Sequence, residues 1–134
     1  MFQRLTFAAL LLVPAVPVPA HHSLAAEFDG SKPVVLNGKI TKVDWMNPHV
    51  YVWVDAIEPG GRVTNWKVEG AAPNYLQRLG WAKGSVKIGD MVTIHGYMAK
   101  DQPGFSQSRL AKMEVVSLPD GRHWSVGHAD DRPR

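Results

Sequence analysis

The stretch HVYVWVDAI, residues 49–57, alternates between small apolar residues on one side and polar or aromatic residues on the other. A period of two is typical of a β-strand with one buried face, and it directs the three valines of this stretch toward a core. The turn residues EPGG, 58–61, come next, and RVTNWKVE, 62–69, returns as a second strand. The two stretches therefore predict an antiparallel hairpin around which the domain is built.

The remaining chain adds three strands and one short helix to this hairpin. Residues 21–32 form a polar lead-in without a clear period, and Gly38 inside the first strand indicates a bulge or a sharp bend. The order β-β-β-α-β-β predicts an all-β protein, mainly β with one short helix, built as an OB-fold-like five-stranded Greek-key barrel. An open antiparallel sheet with one helix across it is the alternative. The added elements are predicted at 34–43, 73–80, 91–97 and 108–118, with a short segment around 123–125.

The first twenty residues have the pattern of an export signal. Arg4 precedes an uncharged apolar run that ends in Val18-Pro19-Ala20, where small residues favour cleavage. We expect a signal peptide at 1–20, a single domain at 21–126 and a flexible tail at 127–134, with the mature protein periplasmic or secreted. A second cleavage site after Ala15 is the alternative. No later segment is long and apolar enough to predict a transmembrane helix.

Composition excludes several classes of site. The 134 residues contain no cysteine, which excludes disulfides, thiolate metal sites and thiol catalysis. The formal net charge is +3, and Arg4 is the single charged side chain in 1–20, so a mature chain would carry +2. The basic residues are dispersed, so we expect no nucleic-acid partner. No nucleophile elbow, phosphate loop or paired-carboxylate motif is present, and we expect a non-enzyme.

Three histidines suggest a metal site. Cleavage after Ala20 would place His21 at the amino terminus, followed by His22, and His49 opens the alternating strand. A terminal amine with two or three imidazoles suits copper above other divalent metals, since Cu(II) prefers tetragonal nitrogen ligands. Glu27 and Asp29 are nearby carboxylates that could complete or support such a site. Adjacent histidines at a flexible terminus can equally be exposed residues without a role. His95 is expected at the surface, and His123 and His128 are assigned no role.

Aromatic side chains form a second candidate site. Tyr51 and Trp53 share the outer face of their strand with His49, and Trp45 precedes them in the chain. Exposed, they would make a binding surface for a protein, a glycan or a small apolar ligand. Covered by the helix or a terminal segment, they would form a second small core. Trp66 alternates with inward positions and is expected in the main core.

The chain resembles the bacterial exported family known as domain of unknown function 6152. The resemblance covers nearly the whole mature chain and implies export and a small β-domain, but no activity. Leu24 departs from the pattern, because an aromatic residue is expected after His-His-Ser. The motifs that carry the resemblance are His21-His22-Ser23 with Phe28, Trp45-x-Asn47-Pro48-His49, Asn65-Trp66 with Glu69-Gly70, Pro73-Asn74, Gly80-Trp81, Gly89-Asp90 and Gly96-Tyr97.

Overall fold

The computed structural model describes residues 24–104 and 107–127 of the chain. Within these ranges the protein is all-β, as predicted, with six strands and two short helices. The sixth strand was not part of the five-stranded prediction. The elements are α1 (Leu24–Glu27), β1 (Phe28–Asp44), β2 (Tyr51–Ile57), β3 (Val63–Glu69), α2 (Pro73–Arg78), β4 (Met91–Ala99), β5 (Arg109–Ser117) and β6 (His123–Ser125).

The strands are joined in the order β3-β2-β1-β4-β5-β6. All neighbours in this order are antiparallel. A further, parallel pairing joins β3 to β5, with Trp66 opposite Arg109 and Glu69 opposite Lys112. Since β3 and β5 are the two ends of the five-strand order, this pairing connects β1 to β5 in a ring. The open-sheet alternative does not account for the β3–β5 contact.

The core lies inside this ring and follows the predicted alternation. Val50, Val52 and Val54 are essentially inaccessible to solvent, as the pattern of residues 49–57 predicts. Trp66 is 2% exposed, which confirms its predicted place in the core. From the other half of the chain, Ile94 of β4 and the strand β5 supply further buried apolar side chains to the same cluster.

Gly38 and Gly96 sit where two backbones approach too closely for a side chain. A Cβ at Gly38 would overlap the backbone carbonyl oxygen of Asp55 on β2. A Cβ at Gly96 would overlap the carbonyl oxygen of Lys112 on β5. The β1–β2 register shifts between residues 40 and 42, so the bulge predicted from Gly38 lies a few residues beyond it.

The amino-terminal end of β1 differs from the sequence prediction. β1 begins at Phe28, six residues before the predicted start at Val34. The intervening residues are polar and show no alternation, yet Phe28 pairs with Ala99, and Lys100 N–H donates to Glu27 O at 2.9 Å. Backbone pairing with the end of β4 thus forms strand where the side-chain pattern gives no signal.

The helix α2 ends as the sequence predicts. Pro73 occupies its first turn, and Gly80 follows its end with φ +83°, a left-handed conformation that favours glycine. The chain then returns to the core at Trp81, which is 1% exposed. No helix among the described residues is long and apolar enough to cross a membrane.

Candidate functional site

His49 lies in the loop that leads into β2, and backbone hydrogen bonds hold this loop against the end of β3. Val50 N–H donates to Ala71 O at 3.1 Å, and Gly70 N–H donates to Val50 O at 2.8 Å. The His49 ring then places Nδ1 3.1 Å from Gly70 O. A carbonyl oxygen only accepts, so Nδ1 carries the proton and, in the neutral ring, Nε2 carries the lone pair.

Glu69 joins His49 to Tyr51. Glu69 Oε1 lies 3.4 Å from His49 Nδ1, and the Tyr51 hydroxyl donates to Glu69 Oε2 at 3.2 Å. Tyr51 is also the cross-strand partner of Glu69 on β2, so the register of the hairpin creates the contact. We call His49, Tyr51, Glu69 and the Gly70 carbonyl the His49 network. Its histidine is partly accessible, with 40% of the side chain exposed.

Burial dominates the electrostatics of this network. Desolvation raises the pKa of Glu69 above its ordinary value, although the charge of His49 and the Tyr51 hydrogen bond act in the opposite direction. Burial, followed by the charge of Glu69, raises the pKa of Tyr51 to about 12. The negative charge of Glu27 raises both pKa values further.

A cavity of about 370 Å³ adjoins the His49 network. Tyr51 and Glu69 line it on one side, and Ala26 and Glu27 of α1 line it on another. The buried ring of Phe28 contributes to its apolar lining. The amino-terminal end of the described chain therefore reaches the same cavity as the carboxylate that contacts His49.

The predicted metal ligands divide at the boundary of the described residues. His49 is described, whereas His21 and His22 lie outside the described residues, as do the predicted signal peptide and the tail beyond Gly127. Within 24–104 and 107–127, no three His, Asp or Glu side chains are grouped so that they could hold a metal ion. Of the two carboxylates considered with the histidines, Glu27 lines the cavity.

Asp29, the second of those carboxylates, is engaged locally. It accepts hydrogen bonds from the Ser31 hydroxyl at 2.6 Å and the Ser31 N–H at 3.0 Å, and it lies 3.5 Å from Lys32 Nζ. The Ser31 hydrogen bonds lower the pKa of Asp29 below its ordinary value. These contacts place Asp29 at the register irregularity of β1 between Phe28 and Pro33.

Tyr51 and Trp53 form the outer aromatic pair. Their ring centroids are 6.2 Å apart, and both rings are half-buried. Lys67 Nζ lies 4.1 Å from the Tyr51 centroid, and Lys42 Nζ lies 4.2 Å from the Trp53 centroid. Lysine side chains of the neighbouring strands therefore cover part of both rings through cation–π contacts.

Trp45 belongs to a different aromatic group. Its ring meets Trp81 edge to face at a centroid distance of 6.0 Å, and Trp81 lies 6.4 Å from Trp124. Trp124 Nε1–H donates to Gly80 O at 3.1 Å. Trp45 and Trp124 pack against the main core, and Trp81 is part of it. Trp45 thus contacts core aromatics, whereas Tyr51 and Trp53 contact lysines.

A second polar group occupies the other end of the same β2–β3 face. Asn65 Nδ2–H donates to Asp55 Oδ1 at 2.6 Å, and the Ser108 hydroxyl donates to Asn65 Oδ1 at 2.5 Å. We call Asp55, Asn65 and Ser108 the Asn65 network. A cavity of about 710 Å³ lies beside Asn65 and Ser108. Arg109, which also lines it, is 3.6 Å from Glu58.

Sequence reasoning assigned no role to Glu69, which connects the candidate residues. The alternation of residues 62–69 indicates that Glu69 lies on the same face of the strand as Lys67. The missing information was the register that sets Glu69 opposite Tyr51. Lys112, 5% exposed and 3.6 Å from Glu114, was also missed because it stands among buried residues in β5.

Comparison with known proteins gives a family. Neither a curated protein nor a solved structure matches the chain significantly. A family model does match it, over residues 9–106, which is more than half of the 134 residues. The match includes His49, Tyr51 and Glu69. The chain belongs to the family of unknown function DUF6152.

Proposed function

We propose that this protein is an exported, non-enzymatic binding protein that holds a divalent metal ion, copper above others, through His21, His22 and His49. In this proposal cleavage after Ala20 frees the amine of His21. The amine and the imidazoles then bind the metal together. Nitrogen ligands of this kind suit Cu(II) at the head of the divalent series.

The hydrogen bonding of the His49 ring is the observation that most supports this proposal. Its Nδ1 donates to Gly70 O at 3.1 Å and faces Glu69, which leaves the Nε2 lone pair for a ligand bond. Metal-binding histidines characteristically donate their other ring N–H to a carbonyl or a carboxylate. The His49 ring therefore has the hydrogen bonding of a ligand before any metal is considered.

The path of the chain supplies the second support. Ala26 lines the cavity next to Glu69, and His21 lies five residues before Ala26. Five residues span at most about 18 Å when extended, since each adds no more than about 3.6 Å. The short chain between His21 and Ala26 supports the proposal that the terminal histidines of a mature chain meet His49 at one metal.

The proposal also includes the location and the finer fold. Export to the periplasm or the outside follows from the leader-like residues 1–20. We assign the ring of β1 to β5 to an OB-like Greek-key barrel. The position of α2 between β3 and β4 and the parallel β3–β5 pairing support this assignment. Function is argued from His49 and its partners, since a fold alone does not specify one.

The test is a Cu(II) titration of the mature chain that begins at His21, read by competition with a chromophoric chelator and by electron paramagnetic resonance. We expect one Cu(II) per chain with a nitrogen-dominated spectrum. His49→Ala, or acetylation of the His21 amine, is expected to lower the affinity at least tenfold, because the first removes an imidazole ligand and the second blocks the terminal amine.

His95→Ala is the matched control, because His95 is an exposed histidine on β4. We expect it to leave the affinity unchanged. If the mature chain binds Cu(II) no more tightly than His49→Ala and the acetylated chain do, the metal proposal is wrong. Intact mass of the protein exported by its host tests the location separately, with a terminus at His21 as the expected result.

The alternative function is an accessory module that binds a protein, a glycan or a small apolar ligand through aromatic side chains. The half-buried rings of Tyr51 and Trp53 support it, since they lie on the outer face beside lysines. Trp45 would contribute from its place beside Trp81. Titration of isotope-labelled protein with soluble glycans should then move the Trp53 indole resonance and leave that of Trp66, and the absence of any Trp53 shift would count against this alternative.

A further inference from the structure

Glu69 occupies the centre of the polar contacts around His49. The strand β3 runs between β2 and β5, so Glu69 has two cross-strand neighbours, Tyr51 on one side and Lys112 on the other. Its carboxylate Oε2 accepts from Tyr51, while Oε1 faces His49 Nδ1 at 3.4 Å. The carboxylate is therefore fixed by the sheet itself and presents one oxygen to the imidazole.

Two acceptors face the same ring nitrogen. Gly70 O lies 3.1 Å from His49 Nδ1, and Glu69 Oε1 lies 3.4 Å from it. Gly70 O accepts the hydrogen bond, while the negative charge of Glu69 beside Nδ1 favours the proton on that nitrogen and raises the electron density that the opposite ring nitrogen offers to a ligand. The two oxygens, Gly70 O and Glu69 Oε1, thus fix both the orientation of the His49 ring and the proton on Nδ1.

We propose that Glu69 is a positioning residue for His49: it holds the proton on Nδ1, keeps Nε2 free to bind, and is itself oriented by Tyr51. The inference rests on the proposed metal function where it concerns affinity. Its statement about the imidazole concerns the metal-free protein and can be tested alone. Glu69 does not touch the metal in this arrangement, since its oxygens are used by Tyr51 and by His49 Nδ1.

The first measurement is the tautomer of His49 in the full mature chain without metal, read from long-range proton–nitrogen correlations. We expect Nδ1–H in the wild type and a shift toward Nε2–H in Glu69→Ala. Glu69→Gln should retain Nδ1–H, because its amide oxygen can still accept. Asp55→Ala is the control, since it removes a carboxylate from the same face of β2 and should leave the tautomer as it is.

The second measurement is Cu(II) affinity in the same variants. We expect a loss of about 10–100-fold in Glu69→Ala, a smaller loss in Glu69→Gln and in Tyr51→Phe, and none in Asp55→Ala. If Glu69→Ala does not fold, the smaller losses of Cu(II) affinity in Glu69→Gln and Tyr51→Phe provide the test.

The two readouts separate the two proposals. Nε2–H in the wild type, or a Glu69→Ala chain that keeps both the tautomer and the affinity, would overturn the positioning role. A wild type that shows Nδ1–H and loses it in Glu69→Ala, yet binds no Cu(II) beyond the level of His49→Ala, would uphold the positioning role and refute the metal function.

Discussion

The His49 network and the Asn65 network occupy the same outer face of β2 and β3, at opposite ends. Both are built on register pairs, Tyr51 with Glu69 and Asp55 with Asn65. In the Asn65 network, hydrogen bonds of 2.5–2.6 Å join the strand residues Asp55 and Asn65 to Ser108, which directly precedes β5. In the His49 network, the contacts lead out of the strands to a partly exposed imidazole. The two networks therefore have similar polar content, and what distinguishes the His49 network is its partly exposed imidazole.

Trp66→Ala should affect both networks at once and have the largest effect. Trp66 is buried on the inner face of the strand that carries Asn65 and Glu69, and removing such a side chain costs about 3–5 kcal/mol. Urea unfolding followed by circular dichroism measures the loss. A destabilisation below about 1 kcal/mol would mean that the two networks do not share this core support.

Asn65→Ala should separate the two networks by acting on stability alone. It removes the amide that hydrogen-bonds the Asp55 carboxylate and the Ser108 hydroxyl, at a cost of about 1–3 kcal/mol. We expect its Cu(II) affinity to equal that of the wild type, while His49→Ala loses the metal with little change in unfolding. An Asn65→Ala chain with weakened copper binding would show that the two ends are coupled.

Titration with base should reveal the His49 network through Tyr51. The folded protein holds the Tyr51 proton up to a pKa of about 12, whereas the unfolded chain releases it near 10. Because the unfolded state loses this proton first, the contribution of Tyr51 makes stability fall as pH rises from about 10 to 12. Absorbance of tyrosinate should show a component near pH 12 that disappears in Tyr51→Phe. If the high component persists in Tyr51→Phe, it belongs to another group.

Lys67→Ala should have the smallest effect, on the surface between the two networks. Lys67 Nζ lies 4.1 Å from the Tyr51 centroid and 5.4 Å from that of Trp53, and a partly exposed cation–π contact contributes about 0.5–1 kcal/mol. We expect a loss of stability of this size and a change in tryptophan fluorescence. Lys83→Ala, at an exposed position after α2, is the control. Equal effects of the two substitutions would argue against the contact.

The hairpin of residues 49–69 shows how far sequence predicts this fold. Strict alternation there located both strands within two residues of their observed bounds and identified Trp66 as core. The start of β1 was not predicted, and the segment at 123–125 was located but not identified as a strand. Both strands arise from backbone pairing with β4 and β5, which gives no periodic pattern in the side chains. Alternation within one strand indicates which of its faces is buried, but it does not indicate which distant strand it pairs with.

The candidate site, like the fold, could be predicted only in part from the sequence. His49 and Tyr51 were identified because their residue types and their shared face are visible in one strand. The contact with Glu69 depends on the cross-strand register, and the tautomer depends on where Gly70 O lies, neither of which a single strand reveals. The contribution of His21 and His22 stays a prediction, since those residues lie outside the described part of the chain.

The parallel pairing of β3 with β5 also determines how late in synthesis the domain can finish folding. Trp66 pairs with Arg109 and Glu69 pairs with Lys112, so the two residues of each pair are more than forty residues apart in the chain. Contacts this distant in sequence form late, because a long loop must be ordered before they stabilise anything. A chain delivered amino end first keeps this edge of β3 unpaired until residue 112 has followed. Folding of the domain during synthesis therefore waits for nearly all of its sequence.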